Sequence, residues 1–300
     1  SRAGTGGSNL PDIPAEFSDA NHGRGAVSMA RAQNPNSANS QFFIVFNDAS
    51  FLDGQYTVWA QVTEGMELVD NITRGEPPQE PDKIIKMDLV NNRLVPNAME
   101  PRAAIGDYNA STEEITLYTT SQNPHLSRLI ISAFNGVAPE HKLRVVAPDV
   151  GGGFGSKIYP YAEDVVMAWA AKKIERPVKW VAQRTESFLS DCHGRDHITH
   201  AELAVKNDGK VVGLKVETIA NLGAYASVFA TVTPTYLYGP LVLGLYDIPN
   251  AYCNVKAVYT NTAPVDAYRG AGRPEATYMI ETLMSKAARE MNMDAAEFRR

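Results

Sequence analysis

Short apolar runs bounded by turn residues dominate the first ninety positions of the chain. "AVSMA" (26–30), "QFFIVF" (41–46), "TVWAQV" (57–62) and "KIIKMDLV" (83–90) each predict a strand. Phe42 and Phe46 are expected in the core of the sheet these runs build. Met66, Val69 and Ile72 share one face of a helix predicted over 64–72. "RAQNPNSANS" (31–40) is rich in turn formers and reads as a loop. Farther along, the apolar period lengthens. In 119–136, Asn123 is placed to cap a helix with Pro124 in its first turn and Gly136 as its stop. Leu126, Leu129, Ile130, Ala133 and Phe134 are its expected buried stripe. A strand over 143–148 precedes a helix over 161–174, and a last helix starts at Pro274 and buries Met279, Ile280, Leu283 and Ala287. "HITHAELAVKNDGKVVGLKVETIA" reads as a hairpin around Asn207-Asp208-Gly209. Trp169 and Trp180 fall at apolar positions and are expected in the core.

Composition adds limits. No window approaches the ~18 apolar residues that a membrane span needs. A net charge of −6 over 300 residues gives no electrostatic reason to bind nucleic acid or an anionic membrane. The two cysteines and the absence of Cys-x-x-Cys fit a reducing, cytoplasmic compartment. Charge is uneven. Residues 1–91 carry six Lys and Arg against twelve Asp and Glu, and residues 92–300 carry twenty-two of each. With the Pro/Glu-rich stretch 74–83 and the polar breakers of 90–97, this places a junction near Val90 to Asn92.

"VGGGFGSK" (150–157) lies between a predicted strand and a predicted helix and invites a phosphate-binding reading. It fails both tests. A P-loop needs Gly before its Lys and Ser or Thr after it, where Ser156 and Ile158 stand; the dinucleotide fingerprint needs Gly where Ser156 stands. Four glycines still let backbone amides approach a bound group closely. Gln122 sits beside a helix N-terminus, and a glycine turn with Arg269 and Arg273 precedes the last helix. "DCHGRDHITH" (191–200) gathers Cys192, His193, His197 and His200, but strand alternation turns His197 and His200 to opposite faces, so no metal site is expected.

"VSMARAQNPNSANSQFFIVFNDASFLDGQYTVW", with "GTGG" (4–7) and "EFSDANH" (16–22), resembles the cyclophilin family of peptidyl-prolyl isomerases over residues 1–90. The resemblance implies part of an antiparallel barrel that holds a proline-containing peptide. Phe43 and Leu52 would form the pocket, Gln41 would bond the substrate backbone, Ala30 and Arg31 would line the groove, and Phe51 and Tyr56 would stand at the rim. Isomerisation of an X-Pro bond takes roughly tens of seconds unaided, and speeding it needs a donor at the prolyl nitrogen. The family's donor is an Arg in a Phe-His-Arg segment that does not occur here, so a poor isomerase is expected.

"SQNPH" (121–125), "DVGGGFGSK" (149–157) and "AYRGAGRPEA" (267–276) resemble, in that order, the molybdopterin-binding large subunit of the xanthine oxidase family. Its aerobic carbon monoxide dehydrogenase-like members are the nearest in pattern. "NRLVPNAMEPRAAIGDY" (92–108) and "RPVKWVAQRTESF" (176–188) extend the match across 92–300. The resemblance implies a molybdenum–molybdopterin cofactor, in its cytosine dinucleotide form, whose own sulfurs ligate the metal. Gln122 would donate to an oxo group, Gly152, Gly153, Phe154 and Gly155 would back the cofactor, and Arg269 would face the substrate as the catalytic residue. Oxidative hydroxylation is the implied reaction, with FAD and 2Fe-2S on partner subunits. Two departures narrow the substrate. Gly270 stands where carbon monoxide oxidisers carry a cysteine, and Ile158 where purine hydroxylases carry a Glu. An aldehyde or heteroaromatic compound remains. The family's catalytic Glu is expected beyond Arg300.

The expected fold class is therefore two partial domains: a largely β cyclophilin-barrel fragment, 1–91, and an α+β molybdopterin-binding fragment, 92–300. A molybdenum oxidoreductase portion is the leading functional reading, a prolyl isomerase or peptide-binding module the second, and a joined chain without native activity the third.

Overall fold

A computed structural model describes residues 6–75 and 81–300. The chain divides into two compact units, Ser1–Lys83 with Lys206–Lys210, and Ile84–Val205 with Val211–Arg300. Half of the expected turn at 74–83, residues 76–80, lies outside the described residues.

In the first unit, β1 (Ala26–Met29) is the centre of an antiparallel sheet ordered β2-β1-β3, with β2 (Phe42–Ile44) and β3 (Val58–Gln61) at its edges. Register sets Ser28 opposite Phe43 on one side and opposite Val58 on the other. One face is covered, where Ala26, Ser28 and Val45 are buried with His22. The His22 ring bridges Asp53 at 2.8 Å and Ser28 at 3.1 Å, so its burial leaves neither nitrogen unsatisfied. Phe42 and Phe46 are not in the core, being 56% and 37% exposed. Strand alternation puts them on the uncovered face, where Phe42 meets only the edge of the half-exposed Trp59. The helix expected over 64–72 shrinks to one turn, α1 (Met66–Val69), with Ile72 exposed beyond it.

The second unit holds two four-stranded sheets. In the first, β4 (Lys83–Asn91), β9 (His197–Val205), β10 (Val211–Gly223) and β11 (Ala251–Tyr259) run in the order β11-β10-β9-β4. α5 (Arg273–Glu290) lies on this sheet through Met279, Ile280, Leu283, Met284 and Ala287, against Ile85, Met87, Leu203 and Val216. Each fully buried Leu, Ile or Met here contributes about 1.5–3 kcal/mol. β5 (Ala103–Asn109), β6 (Glu114–Thr119), β7 (Leu143–Val146) and β8 (Val178–Val181) form the second sheet, ordered β7-β6-β5-β8. α3 (Ala162–Ile174) covers it, closing a core of Ala104, Ile115, Leu117, Ile131 and Ala168. α4 (Arg184–Ser190) follows β8. No helix among the described residues is long and apolar enough to cross a membrane.

α2 (Pro124–Leu129) starts as expected, with Asn123 Oδ1 accepting from the Leu126 amide. It then widens into a π turn over Ile130–Phe134. Ser127 and Ile131 face inward and are buried, while Leu129, before the π turn, and Phe134, within it, are 45% and 79% exposed. The expected stripe is corrected accordingly. Trp169 is likewise 54% exposed, on the outer side of α3, whereas Trp180 is half-buried beside Arg102.

Candidate functional site

Three segments far apart in sequence meet in the second unit: the start of α2, the loop 150–157 and the turn 266–272 before α5. Gln122 joins the first two. Its Oε1 accepts from the amides of Gly155 at 2.8 Å and Lys157 at 3.3 Å, and its own amide donates to the Lys157 carbonyl at 2.7 Å. Two N–H donors on one side identify that atom as the oxygen, so the Nε2 end points away from the loop. Among the described residues Nε2 has no partner, and Gln122 is exposed.

The loop approaches its neighbours too closely for side chains. A Cβ on Gly153 would lie 2.3 Å from Gln122 Oε1, and one on Gly155, where φ is +109°, 2.2 Å from the Ala267 carbonyl oxygen. Gly152 turns the chain at φ +94° and sits against the Phe154 ring. Phe154 itself adopts a left-handed φ of 55°, costing about 1–2 kcal/mol, and keeps its ring 41% exposed. Its carbonyl accepts from the Arg269 amide at 2.9 Å, which ties the loop to the third segment. The Arg269 side chain is exposed and unpaired among the described residues. Gln122, Gly152, Gly153, Phe154, Gly155 and Arg269 are thus brought into one place.

Lys157 does not reach out. It is buried, and its Nζ donates to the Glu100 carbonyl at 2.7 Å and pairs with the Glu100 carboxylate at 3.3 Å. Burial lowers its pKa against the pull of that carboxylate. The same carboxylate accepts from the Gly151 amide, so Glu100 and Lys157 brace the loop from behind. Arg102 braces the floor below: it pairs with Asp191 and Glu163 at 2.7 and 2.9 Å and stacks on the Tyr161 ring. Burial works against its charge, but the two carboxylates hold its pKa above the ordinary value. Tyr161 Oη donates to the Ser156 carbonyl and accepts from the Cys192 amide.

In the first unit, Ala30, Arg31 and Gln41 line one hollow together with Ser37 and Asn39. The Arg31 guanidinium lies 4.4 Å from the Tyr56 ring centre, and Tyr56 meets Phe43 edge-on at 5.7 Å. Leu52 sits in a short turn over Ser50–Leu52, half-buried; Phe51 beside it is 74% exposed and makes no ring contact. Gln41 Nε2 is taken up by the Gly6 carbonyl.

No cluster able to hold a metal ion occurs among the described residues. His197 and His200 do lie on opposite faces of β9: His197 packs edge-on against Tyr238, and His200 bridges Asp88 and Glu202. Sequence reasoning missed Arg195, Glu275 and Glu100, which hold the site's loops rather than line it. The signal for Arg195 was present in "HGRDH", a charged residue after a glycine at a strand start, but was absorbed into the metal reading.

Residues 63–300 match the family model for the molybdopterin cofactor-binding domain, and residues 1–89 match that for cyclophilin type peptidyl-prolyl cis-trans isomerases. The carbon monoxide dehydrogenase large chain of Hydrogenophaga pseudoflava is 41% identical over 210 residues, which are 69% of this chain and 26% of that protein. A probable peptidyl-prolyl cis-trans isomerase of Brucella abortus is 59% identical over 93 residues, 29% of this chain and 47% of that protein. Among solved structures, quinoline 2-oxidoreductase from Pseudomonas putida 86 superposes with a TM-score of 0.69 at 31% identity, covering 72% of this chain and 28% of the other. The chain therefore spans about a quarter of the length of the molybdopterin-binding relatives it matches.

Proposed function

We propose, from the premise that this chain belongs to the molybdopterin cofactor-binding domain family, that residues 92–300 are a cofactor-binding portion of a molybdenum hydroxylase large subunit. The residues present suit the group. Gly153 and Gly155 let the loop close tightly on Gln122 and the 267–268 backbone, and Phe154 stays exposed beside them. The Gln122 Nε2 donor is unspent, and among the described residues no thiolate or imidazole cluster competes for a metal whose ligands come with the pterin. When bound, the cofactor would supply a molybdenum centre able to take two electrons from an electrophilic carbon. Gln122 would donate a hydrogen bond to it, Gly152, Phe154 and their neighbours would wall it, and Arg269 would orient the substrate. The cytosine dinucleotide form, with FAD and 2Fe-2S on partner subunits in a reducing cytoplasm, completes this reading. Gly270 and Ile158 favour an aldehyde or heteroaromatic substrate over carbon monoxide or a purine.

The observation that carries the proposal is the fixed polarity of Gln122: its oxygen is spent on the loop, so only its donor end is left for a ligand. The test is molybdenum and pterin content of the full natural protein purified with its partner subunits. Wild type is expected to hold close to one of each per chain. Gln122→Leu should lower occupancy about tenfold or more, the value of one hydrogen bond to a charged acceptor. Background levels in wild type would overturn it.

For residues 1–91 the proposed role is a proline-peptide-binding module. The contiguous series of His22, Phe43, Tyr56 and Arg31 supports it. A prolyl-isomerisation assay on the 300-residue chain itself should give a rate close to the uncatalysed one.

A further inference from the structure

Arg195 and Glu275 form a buried ion pair at 3.2 Å, with side chains 7% and 0% exposed. As a stabilising device it is poorly made. Two charges are desolvated for one contact, and Glu275 Oε2 has no hydrogen-bond partner. Apolar residues of equal volume usually serve stability as well or better in such places. What they could not do is donate. The Arg195 guanidinium gives one hydrogen bond to the Tyr268 carbonyl at 3.0 Å and another to the Arg269 carbonyl at 2.8 Å, and it lies 4.7 Å from the Tyr268 ring centre. The same Arg269 gives its amide to Phe154.

Glu275 stands in the first turn of α5, whose next turns are locked in the core by Met279, Ile280 and Leu283. A continuous series of contacts therefore runs from the core through Glu275 and Arg195 to the turn at 268–269, and from there to Phe154. Backbone strain marks the same places. Phe154, Arg195, Asp196 and Ala271 all have left-handed φ, at 55°, 66°, 68° and 37°. Asp196 is held there by Arg93 at 2.8 Å and by Asn221 at 2.9 Å. Strain of this kind persists only where surrounding contacts over-determine the backbone.

We propose that the buried Arg195–Glu275 pair is a positioning device that fixes the 268–269 turn against Phe154, making the two glycine-rich segments one rigid cradle. It deepens the cofactor-site reading given above and rests on it for its purpose, but its geometry is tested independently. The measurement is hydrogen exchange of the full chain, comparing the Arg269, Gly155 and Lys157 amides with those of the β9–β10 ladder.

In Arg195→Met the three cradle amides should exchange at least about tenfold faster relative to the ladder. Arg195→Lys, which keeps the charge but lacks the planar two-nitrogen fork that reaches both carbonyls, and Glu275→Gln should fall between that and wild type. Leu283→Ala, which weakens the core alone, should speed both sets alike. Unchanged cradle-to-ladder ratios in Arg195→Met overturn the proposal. If that variant does not fold, unchanged ratios in both Arg195→Lys and Glu275→Gln overturn it. Molybdenum and pterin content of the wild type separates the two claims. Background content with a loosened cradle removes the cofactor reading and leaves the clamp, while full content with unchanged ratios does the reverse.

Discussion

His197 shows how one buried side chain links local structure to pH. It is 3% exposed at the start of β9, and its Nδ1 has no hydrogen-bond partner. Burial lowers its pKa to about 4, with Asp196 pulling the other way. A histidine whose folded pKa is depressed favours the fold most when neutral. Its contribution is complete above the unfolded value near 6.5 and is lost as pH falls from there towards 4. At 1.36 kcal/mol per unit, the loss approaches roughly 3 kcal/mol. His197→Phe removes the titration and the orphaned nitrogen while keeping a ring against Tyr238. Urea denaturation should show the variant's advantage over wild type growing steadily between pH 6.5 and pH 4. A constant difference across that range would contradict this account. Lys157 carries a different lesson: its place at the end of a glycine-rich loop does not say where its charge goes, and the fold spends it inward on Glu100.

α2 is legible at its start and misleading at its end. The cap was readable because Asn123 and Pro124 act within one turn, through local hydrogen bonding and a fixed φ. Asn123→Ala should cost about 1 kcal/mol, seen as a small drop in the unfolding midpoint. Because that cap also sets the direction in which Gln122 enters the loop, the cradle amides should lose protection with it. Beyond the cap, the small polar Ser127 and the apolar Ile131 turn inward where Leu129 and Phe134 were expected, and the π turn over Ile130–Phe134 has no strong sequence signature. β2 failed for a related reason. The five apolar or aromatic positions of 42–46 did not show which face would be covered, and only the one with Phe43 and Val45 was. By contrast α5 and the β9–β10 hairpin followed their patterns closely, because each packs one clear face on a single large core.

For the molecule as a whole, the two units differ sharply in what they bury. The second has two apolar clusters of Leu, Ile, Val and Met. Buried apolar residues of the first are small or few, Ala26, Val27, Ala38 and Val45. A core of that size contributes too little to offset the chain entropy of roughly seventy ordered residues. Residues 1–83 expressed alone are therefore expected to melt without a cooperative transition by circular dichroism. A sharp two-state melt would show that the unit needs nothing further.

The amino-acid sequence determined the strands and helices with one strongly apolar face, the Asn123 cap, the opposite faces of His197 and His200 and the resemblance to two families. Tertiary structure alone decided that Gln122, Phe154 and Arg269 meet, that Lys157 turns inward and that Arg195 joins the turn to the core. The reason is physical. Those contacts join segments tens to more than a hundred residues apart, largely through backbone amides and carbonyls, which every residue carries and no pattern of side chains announces.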